Sequence, residues 1–330
     1  MDDNETLPWE YHTANFWQGC HEVASGCDLC YAREQSARLN GKIDFWTEYG
    51  PRLWIENTFG MLRVLNKRCA ETGEPEYVFI NPLSDFFERD VGQPIVRRDG
   101  SPVFMCQGCD RMGDAKLLGA KYCQHCAGEL ERLTMTNLRK RAFKIIGECP
   151  HLRFLILTKR ISIVSRLWRP REDESKAMFG VSSQFRRNVG IGVSVSDQQQ
   201  ADIRLPQLVA VMNLCALVFA SVEPILAEVR LAPMPDWVIV GGEISSGGKS
   251  PPARPSKIDH MRSLVNQCRE NNIRCFVNQL GSHVVGDWGP GVPPTRDTNG
   301  RWKLKSTKGQ MMYEWPEDLR MQEMPKWPGP

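Results

Sequence analysis

Six short runs of nearly continuous apolar sequence recur along the chain at 77–81, 154–158, 189–195, 217–222, 237–241 and 275–278. Each is followed by a polar turn, and most turns lead into a stretch with helical spacing. A strand that is apolar on both faces must be covered on both faces, which is the situation of parallel strands flanked by helices. Residues 13–17 form a candidate first strand ahead of these. The alternation predicts an α/β fold: a partial or full (β/α) TIM-like barrel, or an open doubly wound sheet. Both architectures place their chemistry at the carboxyl ends of the strands. Those ends are polar here, with Ser84 and Asp85, Lys159 and Arg160, Ser194 and Asp197, Glu223, Glu243 and Gln279. Singly, each could cap a helix or face solvent; together they mark one candidate site.

The alternation is interrupted once. Residues 92–135 are polar and carry four cysteines, which reads as a small zinc-ribbon module grafted into a loop. The expected organisation is 1–91 as the first part of the barrel with a cluster loop, 92–135 as the insertion, 136–285 as the remainder of the barrel, and 286–330 as an extension packing over it. A chain of 330 residues has room for such a barrel with additions. Apolar residues at 41% and charged residues at 25% are ordinary for a globular protein, and a net charge of +3 is too slight to declare a polynucleotide partner. The start is acidic and no apolar run approaches the ~18 residues of a membrane span, so a cytoplasmic protein is expected.

In a reducing compartment, twelve cysteines are read first as metal chemistry. Five of them (Cys69, Cys149, Cys215, Cys268, Cys275) are scattered and expected to be small buried apolar residues. Cys106 and Cys109, followed by Cys123 and Cys126, form a C-x2-C-x13-C-x2-C arrangement. Each pair makes a tight knuckle that points two sulfurs inward, and two knuckles close a tetrahedron around zinc. Cys20, Cys27 and Cys30 form a separate C-x6-C-x2-C loop after the first strand. Three thiolates do not close a tetrahedral zinc site unless His21 or a distant residue joins them. They would, however, hold a [4Fe–4S] cluster with one iron open to a small molecule.

That loop, ending Cys-x-x-Cys-Tyr-Ala over 27–32 ahead of an α/β barrel, resembles the radical S-adenosylmethionine enzymes. Those enzymes mostly have three residues between the first two cysteines where this chain has six, and the aromatic residue often found before the third cysteine is Leu29 here, with Tyr31 after it. The resemblance implies a [4Fe–4S] cluster on Cys20, Cys27 and Cys30, S-adenosylmethionine at its open iron, and an electron donor such as flavodoxin or ferredoxin. One-electron cleavage of the cofactor would give a 5′-deoxyadenosyl radical. The resemblance further implies that Ser84, Asp85, Lys159, Ser194, Glu223 and Glu243 line the barrel mouth to hold S-adenosylmethionine or substrate. Glu223 or Glu243 would bond the ribose hydroxyls, and Lys159 or Arg160 would pair with a carboxylate. Gly241-Gly242-Glu243 is similar to a turn that contacts the methionyl amine in such enzymes, although it lies late in this chain.

A second resemblance covers nearly the whole chain. With the cysteine loop, NPLSDFF at 81–87, LILTKR at 155–160, GVSVSDQ at 192–198, SVEP at 221–224, DWVIVGGE at 236–243 and WPEDL at 315–319 are similar in order and wording to a family of phage-associated three-cysteine proteins of uncertain function. It implies a virus or prophage setting, and so the host cytoplasm.

Basic residues gather at three places: Arg97, Arg98, Arg111, Lys116 and Lys121 around the insertion; Arg139, Lys140, Arg141 and Lys144; and 301–308. Interleaved with Tyr122 and Trp302, they are compatible with a polynucleotide backbone, and each is equally readable as a solvated face. The expected activity is radical modification or rearrangement of a nucleic-acid-related substrate, first a hypermodified pyrimidine base in phage DNA, flipped into the barrel mouth. Two rivals are a non-catalytic zinc-stabilised nucleic-acid-binding protein, with zinc also on Cys20, Cys27 and Cys30, and a metal-dependent nuclease using Asp85, Glu223 and Glu243.

Overall fold

The computed structural model describes residues 12–39, 43–114, 121–168, 185–245 and 252–328. Seven strands form one sheet: β1 His12–Ala14, β2 Glu76–Ile80, β3 Leu152–Thr158, β4 Val189–Ser194, β5 Leu217–Val222, β6 Trp237–Gly241 and β7 Arg274–Gln279. Their order in the sheet is their order in the chain, each parallel to the next. The sheet curls into a half-barrel, and among the described residues β1 and β7 do not pair with each other. The outer edge of β7 is instead occupied by the C-terminal extension: Val277 N donates to Met321 O at 2.8 Å, and Glu323 N to Cys275 O at 3.0 Å. An edge strand's free backbone groups are thereby satisfied without an eighth strand.

Between the strands run α1 Tyr31–Leu39, α2 Thr58–Thr72, α3 Met135–Glu148, α4 Ile161–Trp168, α5 Gln198–Val209 and α6 Ile258–Glu270. Three- and four-residue spacing gives each a single buried stripe. In α2 the stripe is Phe59, Leu62, Leu65 and Cys69, and in α6 it is Ile258, Met261, Leu264, Val265 and Cys268. Thr134 caps α3 by accepting Asn137 N at 3.1 Å. All five scattered cysteines are buried, as expected of small apolar residues.

Alternate side chains of a strand point to opposite faces. Val78, Ile80, Phe154, Ile156, Ile191, Val193, Val218 and Val222 pack into the large core beneath the helices. On the other, concave face lie Tyr77, Phe79, Leu155, Leu217, Phe219, Trp237, Ile239 and Phe276, against which Met324 and Trp327 of the extension pack. Gly192 makes this filling feasible, since a Cβ there would stand 2.3 Å from the Phe219 ring. Counting on by twos along the same face reaches Lys159, Ser194, Ser196, Ser221, Glu223 and Asn278 at the carboxyl ends. One alternation thus plugs the bottom of the half-barrel with apolar side chains and makes its mouth polar.

The predicted strand 13–17 breaks after Ala14. Asn15 Oδ1 accepts Leu83 N at 3.0 Å and Asn81 Oδ1 accepts Phe16 N at 2.9 Å, so side-chain amides replace ladder bonds there. Trp17–Gln18 then pairs antiparallel with Arg52–Trp54, which pairs parallel with Ile95–Val96. Residues 95 and 96, read in sequence as part of the insertion, therefore belong to this small sheet. The inserted sheet itself consists of Phe104–Cys106, Met112–Gly113 and Leu130–Arg132.

Candidate functional site

The inserted module brings the sulfurs of Cys106, Cys109, Cys123 and Cys126 within 4.8 Å of one another, a group that could hold a metal ion such as zinc. The two knuckles mirror each other. Asp110 N donates to Cys106 O at 3.0 Å and Ala127 N to Cys123 O at 2.7 Å, and both Asp110 (φ 56°) and Ala127 (φ 58°) take the left-handed conformation that turns the chain back. Burial opposes a thiolate at Cys106, but the backbone N–H groups of Cys109 and Gly108 together with the Cys126 and Cys109 thiols outweigh it and bring the thiol down to about 7. Four thiolates at this spacing fit a structural tetrahedral ion. Arg141 Nη1 reaches Asp110 Oδ2 at 2.8 Å and Lys144 Nζ reaches it at 3.5 Å, so the module is tied to α3.

Cys20, Cys27 and Cys30 lie in the loop between β1 and α1, each half-buried. The turn Ser25–Cys27 crosses the carboxyl ends of β4 and β5, where a Cβ on Gly26 would stand 2.5 Å from Ser196 Oγ and 3.7 Å from Pro224 Cδ. Ser25 Oγ donates to Asp197 Oδ2 at 3.0 Å, and Asp197 also caps α5 by accepting Gln200 N at 2.9 Å. On the other side Arg254 Nη1 holds Asp28 Oδ2 at 3.0 Å. The loop is thus seated across the mouth by a tight glycine contact and two polar anchors.

A buried charge network backs the loop. Arg160 donates from Nη1 to Cys20 Sγ at 3.4 Å and to Asp85 Oδ2 at 2.7 Å, and from Nη2 to His21 O at 2.8 Å. Thr158 Oγ1 donates to Asp85 Oδ1 at 2.7 Å and Lys159 N to Oδ2 at 3.1 Å. Burial opposes the Asp85 carboxylate, yet Arg160 and these donors hold it below its ordinary value. His21 Nδ1 faces Glu88 Oε1 at 2.9 Å, and Glu88 is paired with Arg52, both wholly buried. Burial pushes the Cys20 thiol up to about 12 although Arg160 pulls the other way, and burial also raises Cys30. Burial thus favours the protonated thiols, and ligation to a metal would release those protons.

Beneath the loop is the polar mouth. Glu223, half-buried, accepts Asn278 Nδ2 at 3.0 Å and Gln279 Nε2 at 2.8 Å. Burial raises its carboxyl above the ordinary range, with Gln279, Asn278 and Lys159 opposing. Lys159 favours the charged forms of both Cys30 and Glu223, and its ammonium has no ion pair among the described residues. Ser194 Oγ, Ser196 Oγ, Asn278 Oδ1 and Gln279 Oε1 are buried with no hydrogen-bond partner among the described residues. Buried polar atoms nearly always have one, so the mouth offers both donors and acceptors to a polar ligand.

A family model described as a protein of unknown function (DUF5131) matches residues 4–101 and 121–319. The chain belongs to the DUF5131 family. No curated protein and no solved structure matches it. The DUF5131 match spans the cysteine loop and the described strands of the half-barrel but passes over 102–120, the stretch with Cys106, Cys109 and the strand Met112–Gly113.

In this DUF5131 chain the structure separates the predicted site residues into two sets. Lys159, Ser194 and Glu223 face the mouth. Ser84, Asp85 and Glu243 are spent internally: Ser84 Oγ accepts Asn81 Nδ2 at 2.7 Å and donates to Trp17 O at 3.1 Å, Asp85 positions Arg160, and Glu243 is clamped by Arg254 through Nε at 2.9 Å and Nη2 at 2.5 Å. Asp85, Glu223 and Glu243 do not converge on a common ion. Two residues read into the basic patches are turned inward. Arg139 is buried, donating to Phe86 O at 3.0 Å and Glu88 O at 2.7 Å, and Trp302 is buried against Trp288, whereas Lys116 lies outside the described residues. Sequence reading passed over Ser196, Asn278, Arg254, Glu88 and Arg52. The first two are recoverable by counting in twos along the strands; the other three act through contacts distant in sequence.

Proposed function

We propose that the chain is a radical S-adenosylmethionine enzyme that holds a [4Fe–4S] cluster on Cys20, Cys27 and Cys30 and modifies or rearranges a nucleic-acid-related substrate at the mouth of its half-barrel. One observation carries the reading: a short loop with three thiols is pinned over the carboxyl ends of β4 and β5, directly above buried polar atoms that lack partners.

Bound at the open iron, S-adenosylmethionine would supply a 5′-deoxyadenosyl radical after one-electron reduction by a donor such as flavodoxin or ferredoxin. The chain's own residues have the complementary tasks. Lys159 and the hydroxyls of Ser194 and Ser196 donate to a carboxylate or other anion, while Asn278 Oδ1 and Gln279 Oε1 accept from hydroxyl or amino groups. Glu223, with its carboxyl raised by burial, can hold a proton or accept from a ribose diol. The apolar floor of Phe219, Trp237 and Phe276 excludes water from below. The intended substrate is a modified pyrimidine in phage DNA or a related nucleotide, met in the host cytoplasm. No helix among the described residues is long and apolar enough to cross a membrane.

The test is anaerobic incubation of iron-replete protein with dithionite and S-adenosylmethionine. Formation of 5′-deoxyadenosine, lost in Cys27→Ala, is the expected result, and its absence from iron-replete protein would sink the reading. The rival of a non-catalytic zinc protein binding nucleic acid predicts colourless protein with two zincs and no cofactor turnover.

A further inference from the structure

We propose that Arg160 is a positioning residue that makes the cluster on Cys20, Cys27 and Cys30 easier to reduce, by fixing a guanidinium against the Cys20 sulfur. This rests on the radical-enzyme reading above. The geometry is specific. Arg160 is 8% exposed, and its Nη1 contacts Cys20 Sγ at 3.4 Å and Asp85 Oδ2 at 2.7 Å, while Nη2 contacts His21 O at 2.8 Å. Asp85 is itself held by Thr158 Oγ1 at 2.7 Å and Lys159 N at 3.1 Å, so the guanidinium cannot swing away. Among the described residues, neither Cys27 nor Cys30 receives a hydrogen bond from a cationic side chain, so the arrangement singles out one ligand.

A hydrogen bond from a cation withdraws charge from a ligand sulfur, and hydrogen bonds to the sulfurs are one of the levers on cluster potential. Burial strengthens the lever, because little water screens the charge. The electron balance is simple. One electron passes from the external reductant to the cluster, no bond breaks, and Arg160 keeps its proton throughout, since a guanidinium does not deprotonate in proteins. Asp85 offsets part of the charge at long range but not the directed bond to Cys20.

Two variants test this. Asp85→Asn/Arg160→Gln removes both charges together and strands neither, while Arg160→Lys keeps the cation but cannot fork to Asp85, Cys20 and His21 at once. Anaerobically reconstituted proteins are titrated with dithionite, reading the electron paramagnetic resonance of the reduced cluster, with iron and sulfide counted on the same samples. At a poise where the parent protein is half reduced, the double variant should show a reduced-to-oxidised ratio about tenfold lower, equivalent to a midpoint about 59 mV more negative for a one-electron couple. Arg160→Lys should fall between. Should the double variant fail to take up iron, Arg160→Lys alone carries the comparison. Assembled clusters with the parent's midpoint in the variants overturn the inference and leave the radical reading standing. A parent protein that takes up zinc but no iron overturns both.

Discussion

Replacing Glu88 with alanine leaves Arg52 as an uncompensated cation inside the protein. Neither side chain has any solvent exposure, and Glu88 accepts Arg52 Nε at 2.8 Å and Nη2 at 2.6 Å. The other partners of Arg52 are the carbonyls of Phe45, Thr47, Gly50 and Pro51, which carry no formal charge. Removing one member of a buried ion pair costs about 3–5 kcal/mol. The entropy of unfolding is about 2.1 cal/mol/K per residue, or about 0.7 kcal/mol/K over 330 residues, so the loss becomes a fall in Tm of about 4–7 °C. The double variant Arg52→Met/Glu88→Met should recover most of that fall, because exchanging a buried pair for apolar side chains is often neutral or stabilising. Thermal melts of zinc-replete protein followed by circular dichroism decide it. A fall below about 1 °C in Glu88→Ala, or a double variant no better than the single, would refute the reasoning that this pair is dry and mutually dependent.

Four further outcomes follow from the same geometry. Cys109→Ser should reduce bound zinc from about one per chain to near none, read with a chromogenic chelator, while leaving iron uptake in place. Gly192→Ala drives a methyl to within 2.3 Å of the Phe219 ring and should cost about 1–3 kcal/mol in denaturant unfolding, recovered when Phe219→Leu is added. Gly26→Val should unseat the cysteine loop from Ser196 and Pro224, lowering iron content with little change in Tm; unchanged iron would mean the loop is not seated there. Because burial raises the Glu223 carboxyl from 4.5, its proton-linked contribution to stability is full below that value and lost as pH rises through the folded value. Glu223→Gln should therefore match the parent near pH 4 and exceed it at pH 7.

The strands were readable because each run is apolar on both faces, and Leu217–Val222 and Trp237–Gly241 have the expected bounds; their sequential order was not, since a barrel and a doubly wound sheet share the same alternation. The first strand was overextended because Asn15 and Asn81 stop it with side-chain bonds that only the folded chain brings together. The four-cysteine group was legible because its members are local in sequence. The carboxylates were not separable that way. Asp85, Glu223 and Glu243 all follow a strand, and only the arrival of Arg160 and Arg254 distinguishes the two that are neutralised from the one that faces the mouth. Arg139 held a signal that was overlooked: it falls in the buried stripe of α3 with Met135, Leu138, Ala142 and Ile146, so a solvated basic face was never available to it.

On the proposal, three loop thiolates hold a four-iron cube while four others hold zinc. Metal and acid-labile sulfide analysis of anaerobically reconstituted protein tests it most directly. About four irons, four sulfides and one zinc per chain are expected, with the iron and sulfide lost and the zinc retained in Cys27→Ala. Two zincs and no iron in the parent protein would contradict it.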